Sequence, residues 1–199
     1  GANHDYLVKE RCRYWKLSEE WREKILKNEK VQEIWETYNA GSPTICWTGS
    51  VDKNEFSINS CGYRLVRANN IKDVAPIHVD RHVGGKYRTE KVRFPSIWIP
   101  LNNVARIYSL PVAKGSHRSQ NSLEESNKST EYLSITYNED YTSQFVFEQF
   151  NYKAGEALMF DSNLLHGGAT NHSKDYCTRL SLEIRLYPIN MLKQFYVWN

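Results

Sequence analysis

The chain has 199 residues, 40% hydrophobic and 25% charged, with a formal net charge of +3. That composition excludes wholesale disorder, and so mild a positive charge gives no argument for nucleic-acid binding. A globule of this length buries on the order of 70% of its unfolded surface, so it folds without a disulfide or metal staple and reads as one domain over 1–199. No apolar run approaches the roughly 20 residues of a membrane span, and the N-terminus lacks a signal-peptide core. Cys12, Cys46, Cys61 and Cys177 are scattered without a CxxC pair. A reducing, cytoplasmic setting is the expectation. Thirteen Tyr, seven Phe and six Trp suit either packed sheets or an aromatic-lined pocket.

From Leu17 to about Tyr38 the pattern is helical. Ser18 can cap the helix, Glu19 and Glu20 suit its positive end, and Trp21, Ile25, Val31, Ile34, Trp35 and Tyr38 recur at helical spacing. Gly41-Ser42-Pro43 stops it. This gives a helical part over about 1–45 and a β core over about 46–199. Short β-like runs follow at Tyr63–Ala68, Pro76–Asp80, Ser96–Leu101, Arg106–Pro111, Tyr132–Tyr137, Phe145–Phe150, Ala157–Asp161 and Thr178–Tyr187. Such a series of short strands predicts a sandwich or barrel. The stretch Ser119–Glu131, rich in Ser, Asn and Glu, reads either as a lid or as a solvated crossover loop. The last run is strictly alternating. Arg179, Ser181, Glu183 and Arg185 share one face, and Leu180, Leu182, Ile184 and Leu186 share the other. Its apolar face must pack against something, while its charged face meets solvent or lines a polar cavity.

The candidate chemistry begins at His78-Val79-Asp80. On a strand, residues two apart project to the same side, so this imidazole and carboxylate can grip one metal ion. Composition alone yields roughly 0.7 such His-x-acid pairs, so the motif needs a third ligand. Gly155-Glu-Ala-Leu-Met-Phe-Asp-Ser-Asn-Leu-Leu-His166-Gly167-Gly168 supplies one: a turn glycine, a short apolar strand, and a histidine before two glycines that allow close backbone approach to a ligand. Two histidines and one carboxylate leave three coordination positions open, the donor set of non-haem Fe(II) oxygenases. Arg179 follows His166 by thirteen residues. Its guanidinium matches a carboxylate bidentately, and Ser181 points the same way.

These residues resemble the Fe(II)/2-oxoglutarate-dependent dioxygenases, in particular the phytanoyl-CoA dioxygenase-like branch with its short natural-product hydroxylases. The resemblance runs from about Tyr63 to Tyr187 and rests on five elements in order. They are His78-Val-Asp80, the Trp strand Ser96-Ile-Trp98-Ile-Pro-Leu101, the turn Gly115-Ser-His-Arg118, the Gly155…His166-Gly segment and Thr178-Arg179-Leu-Ser181. It implies a double-stranded β-helix, a jelly roll of eight core strands in two sheets, and explains the last strand: arginines inward, leucines against helices. It also implies that His78, Asp80 and His166 bind Fe(II) and that Arg179, assisted by Ser181, holds the distal carboxylate of 2-oxoglutarate, with Trp98 beside it. The implied reaction consumes O2, releases succinate and CO2, and hydroxylates an unactivated C–H bond. Desaturation or epimerisation would use the same residues; halogenation would not, because halogenating members give up the carboxylate ligand.

One departure is the spacing. Members usually carry the arginine about eleven residues after the second histidine, where this chain has Cys177. A longer turn through Asn171–Tyr176 restores the alignment, and Arg185 stands as a competing anchor. His117 reads as a turn residue. The basic run Asp80–Arg93 reads either as a solvated loop or as an attractor of anionic substrates. Arg179…Arg185 also fits the Arg-x5-Arg pattern of alkylation-repair demethylases, although the Trp strand and the Gly-Ser-His turn do not belong to that group. A jelly roll that binds a ligand without turnover is the non-enzymatic rival. The expectation is an enzyme acting on a small polar molecule, without nucleic-acid or membrane partners.

Overall fold

The fold is described from a computed structural model, which covers residues 18–38, 43–44, 61–80, 93–119, 125–126, 136–137, 139–175 and 177–188. The expected N-terminal helix is two helices, α1 (Glu19–Leu26) and α2 (Glu29–Glu36). Ser18 caps the first by accepting from the Trp21 N–H at 3.3 Å. Asn28 breaks the run: its side chain accepts from the Lys30 and Val31 N–H groups at 3.1 and 3.3 Å, starting a second helix where the sequence pattern suggests continuation. A short polar side chain that competes for backbone donors is the physical reason for the break. Among the described residues no helix is long and apolar enough to cross a membrane.

Four strands form the main antiparallel sheet: β2 (Cys61–Val66), β9 (Arg179–Arg185), β3 (Pro95–Pro100) and β8 (Leu158–Asp161), in that order. The pairs β1 (Pro43–Thr44) with β10 (Tyr187–Pro188), and β5 (Glu125–Ser126) with β6 (Thr136–Tyr137), are separate two-stranded ladders. A second layer is stitched from shorter pieces. His78 pairs with His166, His166 with Val112, β4 (Val112–Ala113) with β7 (Phe147–Glu148), and Val104 with Tyr152, all antiparallel. The fold is therefore mainly β, a double-stranded β-helix whose sheets do not close into a barrel among the described residues.

Several expected strands are shorter than the pattern suggests. Pro76–Asp80 is reduced to the single bridge at His78, and Arg106–Tyr108 is a 3-10 turn. Prolines at 76 and 111 have no N–H to give a ladder, and Gly167 and Gly168 take positive φ of 103° and 83°, which ends the pairing after His166. Of Ser119–Glu131, only Ser119 and Glu125–Ser126 lie inside the described residues; residues 81–92 of the basic run lie outside them.

The register of the main sheet sorts its side chains. Ile97, Ile184 and Leu186 are buried with Trp35 of α2, and Ile25, Leu26, Val31, Ile99, Met159 and Leu182 pack around them. This is the apolar face expected of the last strand, and the helices cover it. The opposite face carries Arg179, Ser181, Glu183 and Arg185 from β9, and Ser96 and Trp98 from β3, with Ser96 opposite Arg185 and Trp98 opposite Glu183. Trp98, Val104, Leu110, Val112 and Leu164 form a second core between the layers. Ile184 is fully buried. Truncation of Ile184 to Ala should cost about 2–5 kcal/mol of unfolding free energy in urea titrations, and leave metal affinity unchanged because its side chain faces the helices.

Candidate metal centre

The backbones of His78 and His166 exchange both hydrogen bonds across the second layer, at 2.9 and 3.0 Å. Residues paired in this way project their side chains to the same side of a sheet. Their rings lie 4.3 Å apart between centroids. Each ring is then fixed by its own strand. His78 Nδ1 lies 2.7 Å from the Pro76 carbonyl, and His166 Nδ1 lies 2.9 Å from the Leu164 carbonyl. A carbonyl only accepts, so each Nδ1 carries a proton, and in the neutral ring that leaves the Nε2 lone pair free. Asp80 Oδ1 lies 3.9 Å from each of those Nε2 atoms. The three side chains are buried, and their ligand atoms all fall within 4.8 Å of one another.

Glycine 167 makes this approach close. A Cβ there would sit 2.6 Å from the Pro76 carbonyl that orients His78. The sequence suggested that this glycine admits a ligand; in the structure it admits the segment carrying the first histidine. The Gly168 N–H adds a 2.8 Å bond to the Ala75 carbonyl. The Gly115 turn contributes through Ser116, whose Oγ accepts from the Leu165 N–H at 2.9 Å, one residue before the second histidine. Phe160 packs on the His166 ring at 4.7 Å between centroids.

Asp80 is gripped at both oxygens. Arg185 Nη2 donates to Oδ1 at 2.5 Å, and Ser96 Oγ donates to Oδ2 at 2.5 Å. Burial raises the Asp80 pKa, but Arg185, His166 and His78 outweigh it and hold the carboxyl well below the usual range, so it is ionised. Burial, followed by the neighbouring His166, pushes His78 down to about 3, so the ring is neutral and able to coordinate. The sequence left Arg185 open as a cosubstrate anchor; the structure commits it to Asp80. Ser96 went unnoticed as a site residue, though it lies two positions before Trp98 and so on the same face.

Arg179 is differently placed. It is 3% exposed, and Nη1 donates to the Tyr108 carbonyl at 2.8 Å. Its Nε has no partner, and no carboxylate pairs with it among the described residues. Burial, and then the nearby Arg64, lower its pKa to about 10, which leaves it charged at neutral pH. The thirteen-residue gap is absorbed in a closed turn. Asn171 Nδ2 donates to the Val66 and Cys177 carbonyls at 2.9 and 2.6 Å, its Oδ1 accepts from Ser173 N–H at 3.0 Å, and Cys177 N–H donates to Ser173 Oγ at 2.9 Å. Arg179 thus opens β9. Ser181 Oγ and Trp98 Nε1 are likewise buried without a hydrogen-bond partner among the described residues. Glu183 sits between the two arginines of β9 and pairs with Arg64 at 3.0 Å. Asp80, Ser96, Trp98, Phe160, His166 and Glu183 are among the residues that line one small cavity.

A buried pair of imidazoles with one ionised carboxylate is the donor set of a mononuclear non-haem iron centre. The chain belongs to the phytanoyl-CoA dioxygenase (PhyH) family, whose model matches residues 16–180. Solved structures similar to it include AviO1 from Streptomyces viridochromogenes Tue57, at 16% identity and a TM-score of 0.47, covering 81% of this chain and 58% of that one. The non-haem alpha-ketoglutarate-dependent carbocyclase SnoK from nogalamycin biosynthesis gives 14% and 0.47, with 63% and 47% covered. Iron-bound EctD from S. alaskensis gives 17% and 0.46, with 65% and 43% covered. The chain spans between about a quarter and three-fifths of the solved proteins it resembles. No curated protein matches the sequence.

The buried, neutral His78 makes a pH prediction. Its folded pKa of about 3 lies below the unfolded value near 6.5, so the unfolded chain takes up a proton first as pH falls. Metal-free protein should therefore lose stability progressively from about pH 6.5 toward pH 3. Urea midpoints across that range should show the slope, and His78→Asn should flatten it.

Proposed function

We propose that this chain is an oxygenase that uses Fe(II), 2-oxoglutarate and O2 to hydroxylate an unactivated C–H bond of a small polar molecule, releasing succinate and CO2. The observation that carries the reading is Arg179, a buried, charged guanidinium without a carboxylate partner among the described residues, on the same sheet face as the contacts to Asp80. A buried charge without a counter-charge is costly. A dicarboxylate that chelates a metal at one end and meets Arg179 at the other would relieve that cost.

In this reading His78, Asp80 and His166 hold the iron through Nε2, one carboxylate oxygen and Nε2. Arg179 receives the distal carboxylate, and the Ser181 hydroxyl donates a further bond to it. Trp98 lies beside the cosubstrate, with its unpartnered indole N–H available to an oxygen. The residues present fit these groups, because Arg179, Ser181 and Trp98 each keep a buried polar atom that no other described side chain uses. Iron and the oxoacid, when bound, would supply the electrons that activate O2, the oxidant; the protein's part is to orient, to hold charges and to exclude water. Asp80 fills the position that a halide would need, which favours hydroxylation.

Anaerobic visible absorption tests the reading. Adding Fe(II) and then 2-oxoglutarate to metal-free protein should produce a charge-transfer band that needs both additions. Arg179→Ala should require about 100-fold more 2-oxoglutarate to reach it, the loss of two charge-assisted hydrogen bonds. A folded protein that gives no band would contradict the proposal.

A further inference from the structure

We infer that Ser96 and Arg185 act together as positioning residues that restrict Asp80 to one metal-binding oxygen, and so preserve the coordination positions that 2-oxoglutarate and O2 require. The inference rests on the reading of the site as an iron centre and concerns two residues with no ligand role in it.

Ser96 and Arg185 are direct cross-strand partners on β3 and β9. One strand pair therefore presents a hydroxyl and a guanidinium to the same buried carboxylate, and each takes a different oxygen. The two oxygens end up unequal. Oδ1 is the atom 3.9 Å from both Nε2 atoms, which makes it the oxygen facing the two imidazoles. Arg185 takes one lone pair of Oδ1, which leaves another for a metal, and sets the tilt of the carboxylate plane. Oδ2 accepts from the Ser96 hydroxyl at 2.5 Å.

The consequence is arithmetic in coordination positions. Three protein donors leave three places on a six-coordinate metal, two for a chelating oxoacid and one for O2. A carboxylate free to rotate can bind through both oxygens and take one of those places. Ser96 opposes that by occupying Oδ2, and hydrogen-bonded carboxylate ligands of this kind tune a site through their outer partners. Both residues are buried, at 3% and 8% exposure, so solvent does not substitute for either.

The test uses two affinities that need no turnover. Mn(II) affinity is read from the electron paramagnetic resonance of the free ion, and 2-oxoglutarate affinity of the Fe(II)-loaded protein from the charge-transfer band. Ser96→Ala should keep Mn(II) affinity within about threefold of wild type and weaken 2-oxoglutarate about tenfold or more. Ser96→Thr, which returns the hydroxyl, should restore both. Ser96→Cys keeps the volume but donates weakly, carries the same expectation as alanine, and serves if alanine fails to fold by circular dichroism. Unchanged 2-oxoglutarate affinity in the alanine or cysteine variant overturns the inference. So does a parallel loss of Mn(II) and 2-oxoglutarate, which would make Ser96 a plain structural support. A wild-type protein without the band contradicts the iron–oxoacid reading instead, a separate failure.

Discussion

The two reciprocal backbone hydrogen bonds between His78 and His166 set the geometry on which the site depends. They join segments 88 residues apart in sequence and aim both imidazoles to one side. Everything around them protects that pairing. Gly167 keeps a side chain out of the Pro76 carbonyl, Ser116 holds the Leu165 N–H, and the two Nδ1 atoms bond to carbonyls of their own strands. Because those bonds set the tautomer of the neutral rings, the chemistry follows from the backbone: two Nε2 atoms face one carboxylate before any metal arrives. Preorganisation of this kind reduces the conformational cost of assembling the site on binding.

The main sheet answers with charge. Its inner face carries Arg64, Arg179, Arg185 and Glu183, and Asp80 reaches it from the second layer. Buried ions are tolerated only when compensated, and here the compensation is uneven. Arg185 is matched with Asp80, and Arg64 with Glu183, whereas Arg179 makes no ion pair among the described residues: it feels Glu183 at longer range, and its Nη1 donates to a neutral carbonyl. The outer face of the same strands is aliphatic and sits under Trp35. One strand, β9, thus anchors the hydrophobic core with its leucines and isoleucine and the polar site with its arginines. Stability and chemistry share a backbone while facing opposite ways.

Much of this was legible in the sequence because it depends on periodicity. The alternation of residues 179–186 announced a strand with a charged face and an apolar face, and the structure places both as expected. His78 and Asp80 are two residues apart, so a same-side arrangement was the expectation for a strand; their side chains do meet, although only His78 makes a β bridge. His166 before two glycines was legible as a site feature, but the purpose of Gly167 was not, since close approach to another strand is a tertiary fact. The break at Asn28 was hidden because apolar spacing on both sides continues through it. The Arg106–Pro111 run alternates like a strand, yet Arg106–Tyr108 turns, with the Arg106 N–H bonded to Asn151 Oδ1, a partner far along the chain. The division of labour between Arg179 and Arg185 could not be read either: both are inward arginines of one strand, and only the position of Asp80 separates them.

The account stands or falls on where the iron binds. A crystal structure grown without oxygen in the presence of Fe(II) and 2-oxoglutarate, with anomalous scattering recorded at the iron edge, tests it most directly. The account predicts one anomalous peak bonded to His78 Nε2, His166 Nε2 and a single oxygen of Asp80, with the distal carboxylate of the oxoacid on Arg179. A peak elsewhere, or none at this triad in a well-folded crystal, would contradict it.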